Sequence, residues 1–359
     1  MRKEKRLEIK EILKKIEQSK KILITSHPDP DGDSFCSQLA LANFLDSLGK
    51  TYEIFNQGEI SSKYLFLDEK RRIKNKSLDA YAKTVQNLLS SPKDYDLVIT
   101  IECSNLDRVG WVKNLIPEDS FLINIDHHRD NTFFGSINYV DPKASATGEM
   151  IYDIMKTFGF SFDKKTAELI YVAIMTDTGR FKYSNTTPKS LRVCADLLGY
   201  GVDIRFLTEK IYFNFSEPAL RLLGTTLENL ELFAGNKISF LTITYPMLEK
   251  FKVPHQDIDG FVEFSLSLED SKVGALFLET KKGFAQVSLR SCDFMDVCQI
   301  AKSFGGGGHK NASGFLSEGK IDVVKRKVLD SLLKKLKEKS SSFSKKKMSY
   351  KIENQKEKR

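Results

Sequence analysis

Lys21-Ile-Leu-Ile-Thr-Ser26, then His27-Pro-Asp-Pro-Asp-Gly-Asp33, then Ser34 to Leu48 is the stretch that decides the architecture. The first six residues are a compact apolar run that predicts a buried strand. A Pro, Asp and Gly-rich loop follows, and the apolar positions of 34–48 fit a helix that Gly49 stops. The strand signal returns at Asp96-Leu-Val-Ile-Thr-Ile101 and Phe121-Leu-Ile-Asn-Ile125. Helical stretches are predicted around 76–90, 145–158, 163–176 and 188–199. Strands alternating with helices predict an α/β fold, with an open, mostly parallel sheet flanked by helices.

Working outward, residues 1–20 read as a charged amphipathic helix with Leu7, Ile9, Ile12, Leu13 and Ile16 near helical spacing. Residues 201–235 are largely polar helix interrupted by Gly201, Pro218 and Gly224, and read as a connection between domains. Strands at 237–245, 274–280 and 284–290, with helices near 257–268 and 293–303, predict a smaller C-terminal α/β domain. The predicted organisation is therefore a first domain over 1–200, a linker over 201–235, a second domain over 236–320 and a basic tail over 321–359. The tail is expected to be helical to about Lys339 and disordered from Ser340.

A chain of 359 residues with 41% hydrophobic side chains is long enough for two cores. Its formal charge of +8 is unevenly placed. Residues 321–359 hold 14 Lys and Arg against 5 Asp and Glu, leaving the rest of the chain near neutral. Weak contact of the tail with nucleic acid competes with a solvated solubility tail. Five scattered cysteines without a C-x-x-C fit a reducing compartment, and neither an apolar leader nor a membrane-length apolar run is present. A cytoplasmic protein without membrane association is expected.

Four clusters carry chemistry. An imidazole and several carboxylates between His27 and Asp33 repel one another unless a cation relieves them, although an Asp-rich turn accounts for the same residues. A calcium loop starting at Asp29 fails, because its sixth position would be Ser34 and its twelfth Ala40. Glu102 ends the second strand, Asp126-His127-His128 ends the third, and Asp177-Thr178-Gly179-Arg180-Phe181 follows an apolar helix. Strand ends are where open α/β sheets place their ligands.

These clusters occur in one order: His27-x-x-Pro30-Asp31-x-Asp33, Glu102, Asp126-His127-His128, Asp177-Thr178-Gly179-Arg180-Phe181 and Gly306-Gly307-Gly308-His309-x-x-Ala312-Ser313-Gly314. The set resembles the DHH/DHHA1 phosphoesterases, over roughly residues 20 to 320, and is most similar to the stand-alone oligoribonuclease and cyclic-di-AMP (pApA) phosphodiesterase branch. The resemblance implies that His27 and Asp31 hold one metal, that Asp33, His127 and Asp177 hold another, and that the carboxylate of Glu102 bridges them. Two Mn²⁺ are the implied cofactors, other divalent ions being compatible. A donor set of carboxylates and imidazoles without thiolate suits such hard ions. Asp29 falls at a position the family leaves variable. Glu102 departs from the family, which ordinarily has aspartate there.

By the same resemblance, Asp126 orients the histidines and His128 donates to the substrate phosphate, so both count as catalytic candidates. Arg108 or Arg180 is a further candidate for a phosphate contact. Substrate binding falls to Arg290, Gly306, Gly307, Gly308, His309 and Ser313, where glycines let backbone N–H groups approach a phosphate. The expected activity is manganese-dependent hydrolysis of small nucleotide phosphodiesters by a two-metal-activated water: cyclic di-AMP, pApA or RNA of a few residues. Alternatives are a 3′-phosphoadenosine 5′-phosphate phosphatase, an exopolyphosphatase or pyrophosphatase, a RecJ-like single-strand exonuclease, and a catalytically dead nucleotide-binding regulator. A homodimer is compatible with the sequence, which does not set the oligomeric state.

Overall fold

The structure is a computed structural model that describes residues 3–28, 30–76, 94–280, 283–292, 294–308 and 310–356. The helix expected around 76–90 falls, beyond its first residue, outside the described residues, as do Asp29 and His309. The chain divides into two compact units between Asn214 and Phe215.

The first unit is built on six parallel strands: β1 (Lys21–Ser26), β2 (Thr51–Gln57), β3 (Ile73–Lys76), β4 (Leu97–Ile101), β5 (Phe121–Asp126) and β6 (Ile137–Val140). Their spatial order is β3-β2-β1-β4-β5-β6. Ile22 lies opposite Tyr52 on one side and Leu97 on the other, so β1 is central and the strand order reverses between β1 and β4. Such a reversal leaves a crevice at the carboxyl ends of the two strands. β1 and β4 are buried along almost their whole length, which is why they read as unbroken apolar runs.

Among the described residues, helices α1 (Lys3–Gln18), α2 (Gly32–Ser47), α3 (Thr147–Phe158), α4 (Lys164–Asp177), α5 (Pro188–Leu198) and α6 (Ile204–Tyr212) belong to the same unit. α2 is buried nearly all round, within a core that includes Phe35, Leu39, Phe44 and Leu45 from α2, Ile151 and Ile154 from α3, and Ile170 and Ile174 from α4. A second core containing Leu23, Phe55, Val98, Trp111 and Val112 includes the 3-10 segment Leu106–Leu115, and Trp111 packs edge-on to Phe55.

The second unit has a mixed sheet in the order β11-β12-β10-β9-β8-β7. Its strands are β7 (Glu231–Phe233), β8 (Ile238–Ile243), β9 (Val273–Glu279), β10 (Phe284–Ser291), β11 (Gly307–Gly308) and β12 (Ala312–Glu318). Only β8 and β9 pair in parallel among the described strands of this sheet. Helices α7 (Glu217–Glu228), α8 (Tyr245–Phe251), α9 (Val297–Ser303) and α10 (Ile321–Lys356) complete it. Separate clusters form around Phe240 and Phe277 and around Leu241 and Phe261.

Several local expectations change. The 201–235 stretch is divided, α6 lying in the first unit and α7 and β7 in the second. The helix expected near 257–268 is two 3-10 segments, His255–Ile258 and Phe261–Leu266, because Gly260 with φ +92° interrupts them. The helix expected over 293–303 starts at Val297, where the Asp296 carboxylate caps the amide of Gln299. In the tail, the backbone of α10 stays helical through the Ser/Lys-rich stretch to Lys356, with no Pro or Gly to stop it.

Candidate active site

β1 ends at Ser26, and the next turn carries His27 and Asp31 to the start of α2. Asp31 is the N-cap of α2, with one carboxylate oxygen accepting from the amide of Ser34 at 3.0 Å. His27 directs Nδ1 to the Pro28 carbonyl at 2.8 Å. That oxygen only accepts, so Nδ1 carries the proton and Nε2 is the nitrogen able to ligate. Asp33, in the first turn of α2, is buried. Its two oxygens accept from the backbone amides of Thr147 and Gly148 at 2.6 and 2.9 Å, at the start of α3. A helix N-terminus suits a carboxylate through its orphan amides and dipole.

Glu102 follows β4 and is fully buried, with its backbone at φ +54°. Asp126 ends β5. Its Oδ1 accepts from the amides of His127 (2.8 Å) and His128 (3.2 Å) and from His128 Nδ1 (2.7 Å), while Asn131 donates to its other oxygen. Burial alone would raise the Asp126 carboxyl, but the His128 bond and charge and the Asn131 amide hold it below the ordinary carboxylate range. His127 turns Nδ1 to the Ala144 carbonyl at 3.3 Å. Its Nε2 stands 3.7 Å from Glu102 Oε1, 3.8 Å from Asp177 Oδ2 and 3.9 Å from Asp33 Oδ2.

Three carboxylates thus surround one buried imidazole nitrogen. Burial, followed by the charge of Glu102, pushes the Asp33 carboxyl well up, and burial, followed by the charge of Asp31, does the same to Glu102. Burial opposes the charge of His127, yet Asp177, Glu102 and Asp33 together raise it. The cluster therefore demands positive charge at its centre. Potential ligand atoms of Asp33, His127 and Asp177 lie within 4.8 Å of one another, as do those of His27, Asp31 and Glu102. Glu102, His127 and His128 form a third such group. Bonds of about 2.1 Å let two ligands of one ion stand up to about 4.2 Å apart, so the separations around His127 Nε2 fit a shared divalent cation.

All six sequence-derived metal candidates thus fall in these groups, and Asp126 and His128 adjoin them. Arg108 Nη1 approaches Ser104 Oγ at 3.5 Å, and Arg180 stacks over the Tyr212 ring at 4.7 Å. In the second unit, Arg290 on β10 donates to Glu263 Oε1 at 2.6 Å. Gly307 and Gly308 pair with Gly314 and Ser313. A Cβ on Gly306 or Gly308 would strike the backbone of β12, so packing already requires those two glycines, whereas Gly307 has open space. Ser313 is buried. Sequence reading did not single out Asn185, whose side-chain amide lies 3.1 Å from Asp177 Oδ2, nor the backbone donors at Thr147 and Gly148.

Residues 21–174 match the model of the DHH family, N-terminal domain, and residues 238–341 match the DHHA1 domain. The bifunctional oligoribonuclease and PAP phosphatase NrnA of Thermus thermophilus is 33% identical over 91% of this chain and 93% of its own length. A probable bifunctional oligoribonuclease and PAP phosphatase NrnA from Streptococcus mutans is 31% identical over 85% of this chain and 92% of its own. Among solved structures, an exopolyphosphatase-related protein from Bacteroides fragilis superposes with a TM-score of 0.83 at 28% identity, covering 92% of this chain and 96% of that one. Fold, acidic and imidazole site and relatives together define an enzyme that hydrolyses phosphoester bonds. The chain belongs to the DHH family and carries its DHHA1 domain.

Proposed function

We propose that this chain is a manganese-dependent phosphodiesterase acting on small nucleotide phosphodiesters: cyclic di-AMP, linear pApA and oligoribonucleotides of a few residues. The observation that carries the reading is the convergence of His27, Asp31, Asp33, Glu102, His127 and Asp177 into groups whose ligand atoms lie within 4.8 Å. The naming of its relatives as oligoribonucleases and PAP phosphatases supports the nucleotide class, and makes a 3′-phosphoadenosine 5′-phosphate phosphatase activity the second reading.

His27 and Asp31 would hold one ion, Asp33, His127 and Asp177 the other, with Glu102 between them. Two divalent ions supply Lewis acidity, charge neutralisation and a nucleophilic water at neutral pH. The protein's part is orientation. Backbone amides of α3 fix Asp33, and Ala144 fixes the His127 tautomer. Asp126 accepts from His128 Nδ1, so the opposite ring edge is the one offered to a phosphate oxygen, as a donor when the ring is protonated. In the second unit, Arg290, Gly306, Gly307, Gly308, His309 and Ser313 would bind substrate, and a Cβ on Gly307 would meet open space. Five scattered cysteines without a C-x-x-C fit a reducing compartment such as the cytoplasm, and no helix among the described residues is long and apolar enough to cross a membrane.

One turnover panel with Mn²⁺ tests this, comparing cyclic di-AMP, pApA, short RNA and 3′-phosphoadenosine 5′-phosphate with long single-stranded DNA and polyphosphate. Turnover should concentrate on the small nucleotides and fall by orders of magnitude in His127→Ala. Undiminished hydrolysis by folded His127→Ala, or preference for polyphosphate, contradicts the reading.

A further inference from the structure

Three of the candidate ligands share one supporting segment. Ala144 to Gly148 gives its first carbonyl to His127 Nδ1 and its last two amides to the Asp33 carboxylate. The Ser145 carbonyl accepts from Asn185 Nδ2 at 3.0 Å, and the same nitrogen reaches the carbonyl and Oδ2 of Asp177, each at 3.1 Å. Every partner of that nitrogen is an acceptor, which settles which end of the amide faces Asp177. Ser145 is itself pinned, its hydroxyl donating to Glu149 Oε2 at 2.7 Å, and Lys189 pairs with the other oxygen of Glu149 at 2.8 Å. Asn185 therefore ties the end of α4, which carries Asp177, to the segment that already holds Asp33 and His127.

Asn185 Oδ1 is buried and has no hydrogen-bond partner among the described residues. A buried acceptor left without a donor costs stability, so packing alone does not explain an asparagine there. The other candidate group is held differently: Asp31 is exposed and serves as a helix cap, and Glu102 sits on a left-handed backbone.

Building on the two-metal reading, we propose that Asn185 is a positioning residue that, with the 144–148 segment, preorganises the Asp33–His127–Asp177 group into the tighter of two divalent-cation sites. Outer hydrogen bonds to ligands typically set metal affinity by about 10–100-fold.

The test is Mn²⁺ titration of the full chain by calorimetry and by electron paramagnetic resonance, with circular dichroism reporting the fold. The wild-type chain should show two classes of site. Asn185→Ala and the similarly sized Asn185→Leu should weaken the tighter class by about 10–100-fold and leave the weaker class in place. Unchanged affinities in either folded variant overturn the proposal while leaving the two-metal reading intact. So does equal weakening of both classes. A wild-type chain that takes up no divalent ion removes the two-metal reading and the proposal with it. Collapse of the fold in both variants would make Asn185 a core residue and overturn its positioning role.

Discussion

Glu102 combines a long side chain, full burial and a backbone at φ +54°, where non-glycine residues other than Asn and Asp are uncommon. Such strain costs on the order of 1–3 kcal/mol and gathers at functional sites. Aspartate tolerates this backbone better. Glu102→Asp should therefore melt no lower than wild type in the presence of a chelator and keep or raise turnover. Glu102→Gln removes a charge that burial and Asp31 disfavour, so the chelated protein should melt higher while turnover is lost. Melting curves with and without Mn²⁺, beside initial rates, check both. Thiol labelling tests burial directly. Burial pushes the Cys194 thiol up to about 12, and Cys292 alone of the five cysteines is exposed, so iodoacetamide at pH 8 should label one thiol in the folded protein and five in denaturant. Side-chain ligands were legible because each motif displays its carboxylates and imidazoles. The amides of Thr147 and Gly148 carry no residue signature. Asn185 gains meaning only once the left-handed run Gly179, Arg180 and Phe181 turns the chain back toward Asp177.

At the scale of elements, the site depends on how closely α2, α3 and α4 approach. A Cβ on Gly32 would lie 2.6 Å from Thr176 Oγ1, and one on Gly148 would lie 2.5 Å from the Ala173 Cβ. The glycine between Asp31 and Asp33 thus lets the start of α2 lie against the end of α4, which delivers Asp177. Gly148→Ala should force α3 off α4 and displace its amides from Asp33. A cost of about 1–3 kcal/mol is expected for such overpacking, read as a lower urea midpoint with unchanged slope, together with weaker Mn²⁺ binding. Wild-type stability would show that the helices give way freely. Long buried elements were legible: β1, β4, β5 and α2 to α5 emerge from apolar runs and periodicity. β2 and β6 were missed, since β2 mixes polar and apolar residues and β6 has only four residues with one buried. Their identity comes from pairing with β1 and β5, a long-range fact that local pattern does not encode.

For the molecule as a whole, a near-neutral body and a basic C-terminal segment are separate assets. A dinucleotide offers too few phosphates to release many counterions to a lysine-rich helix, whereas longer RNA releases them as lysines meet its backbone. Truncation after Lys339 should leave dinucleotide turnover unchanged, weaken binding of longer RNA and flatten its salt dependence. An unchanged salt slope would mark the segment as a solubility tail. The strand order has a further consequence, one of timing. β1 takes its central place only when Leu97 arrives opposite Ile22, and the candidate metal-holding carboxylates and imidazoles span His27 to Asp177. A ribosome adding about 5–20 residues per second needs roughly 10–35 s to reach Asp177. Until then the nascent chain carries its candidate acidic ligands without the geometry to use them. Contacts between residues so distant in the chain also form slowly. An enzyme of this topology is therefore inert while its own chain is being translated, and acquires its activity only once nearly all of its first unit has been synthesised.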